Sequence, residues 1–253
     1  MKPHHALRHG IRRLRGLASN ISSLELSAFA ASSAFFLFLS LFPILLLVCA
    51  LLPYTGLTQA DLLQLLEQYT QGLAPEAIRL LARSAIDSIY AAQPLPWGLP
   101  ALMTLWTAGK AVSALTRGMD VMHGVGRQRY LAVRLKGCGY TMLLIALLVS
   151  LLLLPAGGLP TVWLMLTAAL TGLYTWVPKQ QLQLRKQLPG ALLAATGWVV
   201  FSALFSAYLA HSGSFGIYGN LATIIIALVW MYDCMYILLL GAYFNAKHKS
   251  ERT

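Results

Sequence analysis

Charged side chains are scarce in this sequence, and acidic ones are the scarcest. Of its 253 residues only 11% are charged, and just 8 are Asp or Glu, against 19 Lys and Arg. Hydrophobic residues make up 58% of the chain, which is well above the proportion that soluble domains carry. These proportions exclude an ordinary soluble domain and indicate a membrane protein.

Cysteine is also sparse, and its spacing offers no ligand set. The three cysteines, Cys49, Cys138 and Cys234, lie in or beside apolar segments and form no CxxC pair. This excludes a disulfide framework and a thiolate metal site. The six histidines are scattered without the spacing of metal ligands. We therefore predict packing roles for the cysteines, and no metal or cofactor.

Long apolar runs, by contrast, are abundant. A helix needs about 20 apolar residues to cross a bilayer, and several runs reach that length. None alternates with the period of two that is typical of barrel strands. We predict an all-α polytopic membrane protein, with one transmembrane domain over residues 1–253 and an outer amphipathic helical hairpin within 54–96. The six predicted spans are residues 27–52, 97–117, 138–156, 160–178, 188–210 and 220–245.

Basic residues lie mainly on one side of these predicted spans. Sixteen of the 19 occur in the two terminal tails and in the connections after the second and fourth spans, whereas the outer segment holds only Arg79 and Arg83. Because positively charged loops stay on the cytoplasmic side, we predict cytoplasmic N and C termini. We expect the basic side to contact anionic lipid headgroups. No aromatic-interleaved basic face accompanies these charges, so no nucleic acid partner is expected.

The outer segment carries two stretches with helical periodicity. Pro75 and Glu76 mark the start of one, and Thr58 or Gln59 marks the start of the other. Each stretch has apolar residues on one side and polar residues on the opposite side. We predict two short amphipathic helices that lie on the membrane or cap the helix bundle, with a substrate gate as the alternative.

Small residues recur at a spacing of four in the first and fifth predicted spans. Ala30 and Ala34 form such a pair in the first span, and Gly190 and Ala194 form one in the fifth. Small residues at this spacing let helix backbones approach closely in lipid. We predict that both spans pack inside the bundle, with a pore lining as the alternative.

Two charged residues, Lys110 and Asp233, interrupt apolar spans. Each lies 13 residues after the first residue of its span, which is about 20 Å along a helix. Charges at such a depth pair with each other or mark a pathway. Our hypothesis is an intramembrane ion pair or a shared polar cavity. The alternative is a Lys110 that extends to the inner surface beside Arg117 and Asp120. These four residues are the candidate pathway residues, and we predict no catalytic residue.

Seven short segments of the chain together form a specific pattern. They are "LSLFP" at 39–43, "LYTWVP" at 173–178, "LPGALLAATGW" at 188–198, "FSAYL" at 205–209, "IYGNLA" at 217–222, "LVWMY" at 228–232 and "LLLGAYFNA" at 238–246. In these segments the chain resembles the YihY or BrkB family of bacterial inner-membrane proteins over nearly its whole length. The resemblance implies a six-span protein of the bacterial inner (cytoplasmic) membrane. Members are discussed as transporters, with suggestions that touch envelope lipids and serum resistance, and some carry the label ribonuclease BN.

The chain departs from that family pattern at three positions. Asp120 stands where the family has Asn, Tyr243 where it has Glu, and Asp233 where a small residue is common. We therefore carry over no functional residue from the family.

Three functions follow as hypotheses. The first is a transporter or flippase-like protein for an envelope lipid or another amphipathic anionic molecule, because buried charge and small-residue helices suit a membrane cavity. The second is a non-transporting scaffold for envelope assembly, in which Lys110 and Asp233 only specify helix packing. The third is a ribonuclease. We predict that the protein is not an enzyme, because the inner side offers no cluster of carboxylates for catalytic metals.

Overall fold

The computed structural model describes residues 25–51, 56, 58–70, 74–91, 98–126, 128–153, 158–179, 182–211 and 219–250. Within these ranges every regular element is an α-helix, which confirms the all-α prediction. The helices are α1 (Leu26–Leu51), α2 (Gln59–Thr70), α3 (Glu76–Ala91), α4 (Gly98–Met122), α5 (Tyr130–Leu153), α6 (Gly158–Trp176), α7 (Leu184–His211) and α8 (Gly219–Ser250).

Three of these helices contain segments that are long and apolar enough to cross a membrane. The segments are Leu26–Ile44 in α1, Leu184–Leu209 in α7 and Ala222–Lys247 in α8. They coincide with the first, fifth and sixth predicted spans. Helices α4, α5 and α6 overlap the other three predicted spans, but they are not among these segments. The count of six spans therefore stays a prediction.

Helix α5 begins at Tyr130, although the predicted span begins at residue 138. Arg134 and Lys136, which the sequence analysis assigned to a connection, are therefore helix residues. The difference arises because apolar composition marks only the part of a helix suited to lipid. The helix itself continues wherever backbone hydrogen bonding does.

Most of the long helices pack against their neighbours in the chain, and α1 lies against both α4 and α8. Gly118, late in α4, approaches Phe29 near the start of α1. Lys110, eight residues earlier in α4, lies over Phe36, which is later in α1. The two helices are therefore antiparallel. The buried cluster between the helices includes Ala30, Ala34, Met119, Leu173, Tyr174, Ala194 and Leu239.

The small-residue stripe of α1 is buried only in part. Ala30 and Ala34 are almost fully buried, as the packing prediction requires. Ala28 and Ala31, on the other side of the helix, are exposed. α1 therefore presents one small-residue face to the bundle and a second face outward.

Helices α7 and α8 cross at two glycines. A Cβ added to Gly190 would collide with the carbonyl oxygen of Gly241, and a Cβ added to Gly241 would lie 2.8 Å from Ala194 Cβ. Asn245 joins the helices, since its Oδ1 accepts a 2.8 Å bond from the Gly190 amide and its Nδ2 donates to the Gln187 carbonyl at 2.9 Å. The close packing predicted for Gly190 and Ala194 is thus confirmed.

Helices α2 and α3 are the two predicted amphipathic helices. Thr58 caps α2, since its hydroxyl oxygen accepts a 3.2 Å bond from the Asp61 amide. In return, the Asp61 carboxylate accepts two hydrogen bonds, from the Thr58 hydroxyl at 2.6 Å and from the Thr58 amide at 2.8 Å. These two bonds hold the pKa of Asp61 below its ordinary value. Pro75 directly precedes α3 and Glu76 is its first residue, as predicted.

The polar stripes of α2 and α3 face each other. Glu67 of α2 pairs with Arg79, at 3.5 Å, and with Arg83 of α3. Gln59 Nε2 donates to Asp87 Oδ1 at 2.8 Å. The hairpin also contacts the bundle, because α3 touches α1 and α8 and α2 touches α6. These contacts agree with the cap that the sequence predicts.

Candidate functional site

Lys110 lies in the middle of α4 with its ammonium over an aromatic ring. Its Nζ is 5.1 Å from the ring centroid of Phe36, within the range of a cation–π contact. Phe36 is ten residues after the first residue of α1, about 15 Å along that helix. Lys110 therefore contacts α1 well away from the end of the bundle where Arg117 and Asp120 lie.

Asp233 lies in the middle of α8 and is half-buried. In the part of the chain that the structure describes, the ion pairs all belong to the α2–α3 hairpin. Lys110 and Asp233 thus form no salt bridge with each other within this chain. A polar pathway that includes both residues stays a prediction.

Asp120, near the end of α4, is held by two hydrogen bonds. Its side chain is buried, with 5% of its surface exposed. Oδ1 accepts a 2.9 Å bond from the Lys179 amide, and Oδ2 accepts a 2.7 Å bond from Gln128 Nε2. Because a buried carboxylate is costly without such partners, these bonds explain how Asp120 is accommodated. They also tie the α4–α5 connection to the chain that follows α6.

Two lysines add further hydrogen bonds between the α4–α5 region and the chain that follows α6. Lys136 of α5 donates to the carbonyls of Val177, at 3.4 Å, and Pro178, at 3.1 Å. Lys179 Nζ donates to the Gly126 carbonyl at 3.2 Å. Val177 and Pro178 follow the last residue of α6, where free carbonyls favour a cation. Together with Asp120, these bonds fix the geometry of this end of the bundle.

A cleft of about 640 Å³ opens beside Asp120. Its size falls within the range typical of ligand sites, roughly 300–1,000 Å³. Arg117 lines the cleft and is exposed. The structure thus brings two of the four candidate residues, Arg117 and Asp120, to one site and leaves Lys110 and Asp233 outside it. The lining residues are Phe29, Arg117, Asp120, Val121, Val125, Gln128, Tyr130 and Val133.

Arg134 is a buried cation that the sequence analysis did not single out. It is 8% exposed, its guanidinium carbon lies 4.3 Å from the ring centroid of Trp106, and Nη2 donates to the Trp106 carbonyl at 3.2 Å. Nη1 is buried and has no hydrogen-bond partner among the residues that the structure describes. The α4–α5 crossing creates this site, because a Cβ on Gly137 would lie 2.8 Å from the Gly109 carbonyl oxygen. Only the two glycines, 28 residues apart, hint at it in the sequence.

The described residues contain no group of three or more His, Cys, Asp or Glu side chains placed to hold a metal ion. Cys138 contacts the Leu105 carbonyl at 3.5 Å, and Cys234 is buried. Both cysteines therefore pack between helices, as predicted. Cys49 has a side chain outside the described part of the structure.

Comparison with known proteins shows to which family the chain is related. The model of the virulence factor BrkB family matches residues 17–253. A Bacillus subtilis protein described as ribonuclease-like, YfkH, is 28% identical over 94% of this chain and 96% of its own length. No solved structure matches the chain.

Other relatives match over shorter regions and are named membrane proteins. The UPF0761 membrane protein VV0203 of Vibrio vulnificus is 39% identical over 30% of this chain and 25% of its own length. The UPF0761 membrane protein PSHAa0171 of Pseudoalteromonas translucida is 40% identical over 29% of this chain. The chain thus spans about a quarter of these two relatives. From the family match over nearly its whole length, the chain belongs to the virulence factor BrkB family of membrane proteins.

Proposed function

We propose that this membrane protein is a transporter or flippase-like protein for an envelope lipid or another amphipathic anionic molecule. The observation that carries the proposal is the cleft beside Arg117. It offers a guanidinium for an anionic group and several apolar side chains, among them Phe29, Val121 and Val133, for an apolar one. A guanidinium binds phosphate or carboxylate groups through paired hydrogen bonds.

Asp120 does not oppose such a ligand as a free carboxylate would. Each of its oxygens already accepts a hydrogen bond, from Lys179 and from Gln128. Arg117 has no ion-pair partner among the described residues. The Arg117 guanidinium is therefore the charged group of the cleft that would bind the anionic part of a ligand.

We also propose that the basic end of the bundle, which holds this cleft, faces the cytoplasm in the bacterial inner membrane. The support is the excess of Lys and Arg in the predicted connections at that end. In this orientation the cleft lies at the depth of the anionic headgroups of the inner leaflet, which are the expected lipid partners.

Movement of fluorescent phosphatidylglycerol across the bilayer of proteoliposomes tests the proposal. Bleaching of the outer leaflet reports how fast labelled lipid leaves the inner leaflet, and labelled phosphatidylcholine is the zwitterionic comparison. We expect Arg117→Gln to slow phosphatidylglycerol movement about tenfold or more, since a hydrogen bond to a charged group contributes about 1.5–3 kcal/mol.

The matched control is Arg185→Gln. Arg185 is an exposed basic residue in the first turn of α7 and does not line the cleft. It should leave the rate unchanged. Equal rates of movement for both lipids would reject an anion site. So would a rate of phosphatidylglycerol movement that is unchanged in Arg117→Gln. A wild-type protein that moves no lipid would favour the scaffold role instead.

We further propose that the protein is not a ribonuclease. The cleft is lined by one arginine and one carboxylate already engaged in hydrogen bonds, whereas metal-assisted phosphodiester hydrolysis requires acidic metal ligands. RNA cleavage by the purified protein that disappears in Asp120→Ala would reject this proposal.

A further inference from the structure

Lys110 is half-buried and lies on a stripe of α4 whose other members face outward. The same stripe holds Met103, Trp106, Arg117 and Val121, which follow helical spacing and are all exposed. Phe36 is the aromatic contact of the Lys110 ammonium. No carboxylate among the described residues pairs with it. A cation therefore stands near the middle of a largely apolar outer surface.

Asp233 occupies the corresponding position on α8. Its neighbours on the outward stripe include Ile225 and Val229, which are exposed, whereas the buried stripe of α8 carries Met231 and Leu238. Asp233 likewise has no cationic partner in the described part of the chain. Two opposite charges thus remain uncompensated on outward faces of one chain, where lipid tails provide no compensation.

The two charges lie at nearly the same height. Gly118 of α4 and Leu239 of α8 are in contact, since a Cβ on Gly118 would lie 3.2 Å from Leu239 Cδ2. Lys110 is eight residues before Gly118, and Asp233 is six residues before Leu239. Asp120 near the end of α4 bonds Lys179, and Gly190, eleven residues after Lys179, bonds Asn245 near the end of α8, so α4 and α8 end on the same side of the bundle. The two heights therefore differ by about 3 Å at 1.5 Å per residue.

Helix α1 lies against both α4 and α8, so its outward face lies between the two charges. That face is apolar and exposed, with Phe35 at 56%, Leu39 at 48% and Phe42 at 67% of their surfaces. We call the outward sides of α1, α4 and α8 together the α1–α4–α8 face. It has a cation at one edge, an anion at the other and an apolar centre.

We propose that a second copy of this chain docks on the α1–α4–α8 face, so that Lys110 of each chain pairs with Asp233 of the other. A twofold axis that lies between the outward α1 faces of the two chains, perpendicular to the membrane, brings each residue to the other at unchanged height. The two pairs compensate charges that the isolated chain leaves unpaired. This inference does not depend on the proposed lipid movement.

Charge reversal in full-length protein tests the pairing. Lys110→Asp alone and Asp233→Lys alone each place like charges in both contacts of a dimer. We expect each variant to raise the dimer dissociation constant at least about a hundredfold, because breaking a buried pair leaves an uncompensated charge. The measurement is the monomer–dimer ratio of purified protein in detergent over a dilution series.

Mixing the two variants separates pairing between chains from pairing within one chain. When Lys110→Asp and Asp233→Lys chains with different affinity tags are co-expressed, both contacts of the mixed dimer regain opposite charges. We expect the two tags to co-purify as with wild type, whereas two tagged Lys110→Asp chains do not. Arg185→Asp, a reversal outside the face, should leave the dimer unchanged.

Neutral variants distinguish the loss of pairing between chains from a failure of the variant to insert and fold. Lys110→Met and Asp233→Asn remove the cost of a charge in lipid, so they insert at least as readily as wild type. They should still weaken the dimer. A wild-type chain that is monomeric throughout the dilution series would overturn the proposal. So would single variants that dimerise like wild type, or a mixture that fails to co-purify.

Discussion

At the scale of single residues, Asp120 organises the candidate site more than any other side chain. The sequence predicted it as a candidate pathway residue and as a neighbour of an extended Lys110. In the structure it is the acceptor that joins the α4–α5 connection to the chain after α6. Asp120 thereby fixes the segments that form the cleft, which Arg117, three residues earlier, also lines.

Removing the Asp120 carboxylate should therefore destabilise the protein. We expect Asp120→Ala to lower the free energy of unfolding by about 1–3 kcal/mol, because the Lys179 amide and the Gln128 side chain lose a charged acceptor. Asp120→Asn, the residue type of the family pattern, keeps one acceptor oxygen and should cost less. Thermal unfolding in detergent measures both. Equal losses from the two variants would show that the charge, and not the hydrogen bonding, is essential.

Arg134 illustrates what residue type alone does not reveal. Its position in a basic stretch suggested contact with headgroups. The structure instead places its guanidinium between α4 and α5, against Trp106. The cause is the close approach of Gly109 and Gly137, a contact between residues distant in the sequence.

At the scale of helices, glycine contacts determine how closely neighbours approach. Gly190 and Gly241 leave no room for a side chain, and Asn245 bonds across the same crossing. We expect Gly190→Ala to destabilise the protein by at least about 2–3 kcal/mol, because the added methyl group forces α7 and α8 apart. A shift in thermal unfolding is the readout.

The matched control for this change is Gly139→Ala in α5. No atom lies within 4 Å of a Cβ added there. Alanine should then stabilise the protein by about 0.5–1 kcal/mol through its better helix propensity. If Gly190→Ala also leaves stability unchanged or raises it, the α7–α8 crossing has room for a methyl group and the prediction is wrong.

At the scale of the whole molecule, the arrangement in the membrane is set by which end of the bundle faces which compartment. Among the residues that the structure describes, three helices have the length and composition of spans, and the six-span arrangement rests on the sequence. The hairpin of α2 and α3 contacts the bundle through α1, α6 and α8. If six spans and the positive-inside rule both hold, this hairpin and the end of α8 face opposite compartments.

Cysteine labelling checks that arrangement. In a background without native cysteines, Ser84→Cys in α3 should react with a membrane-impermeant maleimide added to cells with a permeabilised outer membrane. Lys247→Cys, near the end of α8, should react only after lysis. Both positions are exposed. Labelling of both from the same side would contradict an arrangement in which the hairpin is outside and the C terminus inside.

Much of the helix plan was predictable from composition and periodicity. The spans 27–52 and 220–245 anticipated α1 and α8 closely, because an apolar run of that length has few alternatives to a membrane helix. The starts of α2 and α3 were predictable because capping residues act locally. The start of α5 was missed, since no local signal at Tyr130 marks it.

By itself, the sequence determined that this protein is helical, belongs in a membrane and carries its positive charge at one end, because these properties depend on local composition. Only the tertiary structure decided which charged residues share a site. Lys110 and Asp233 matched in depth along their helices, yet they are half-buried on different helices and form no salt bridge, while Arg117 and Asp120 line one cleft. Depth along a helix follows from counting residues, whereas the direction of a side chain depends on which neighbours its helix packs against.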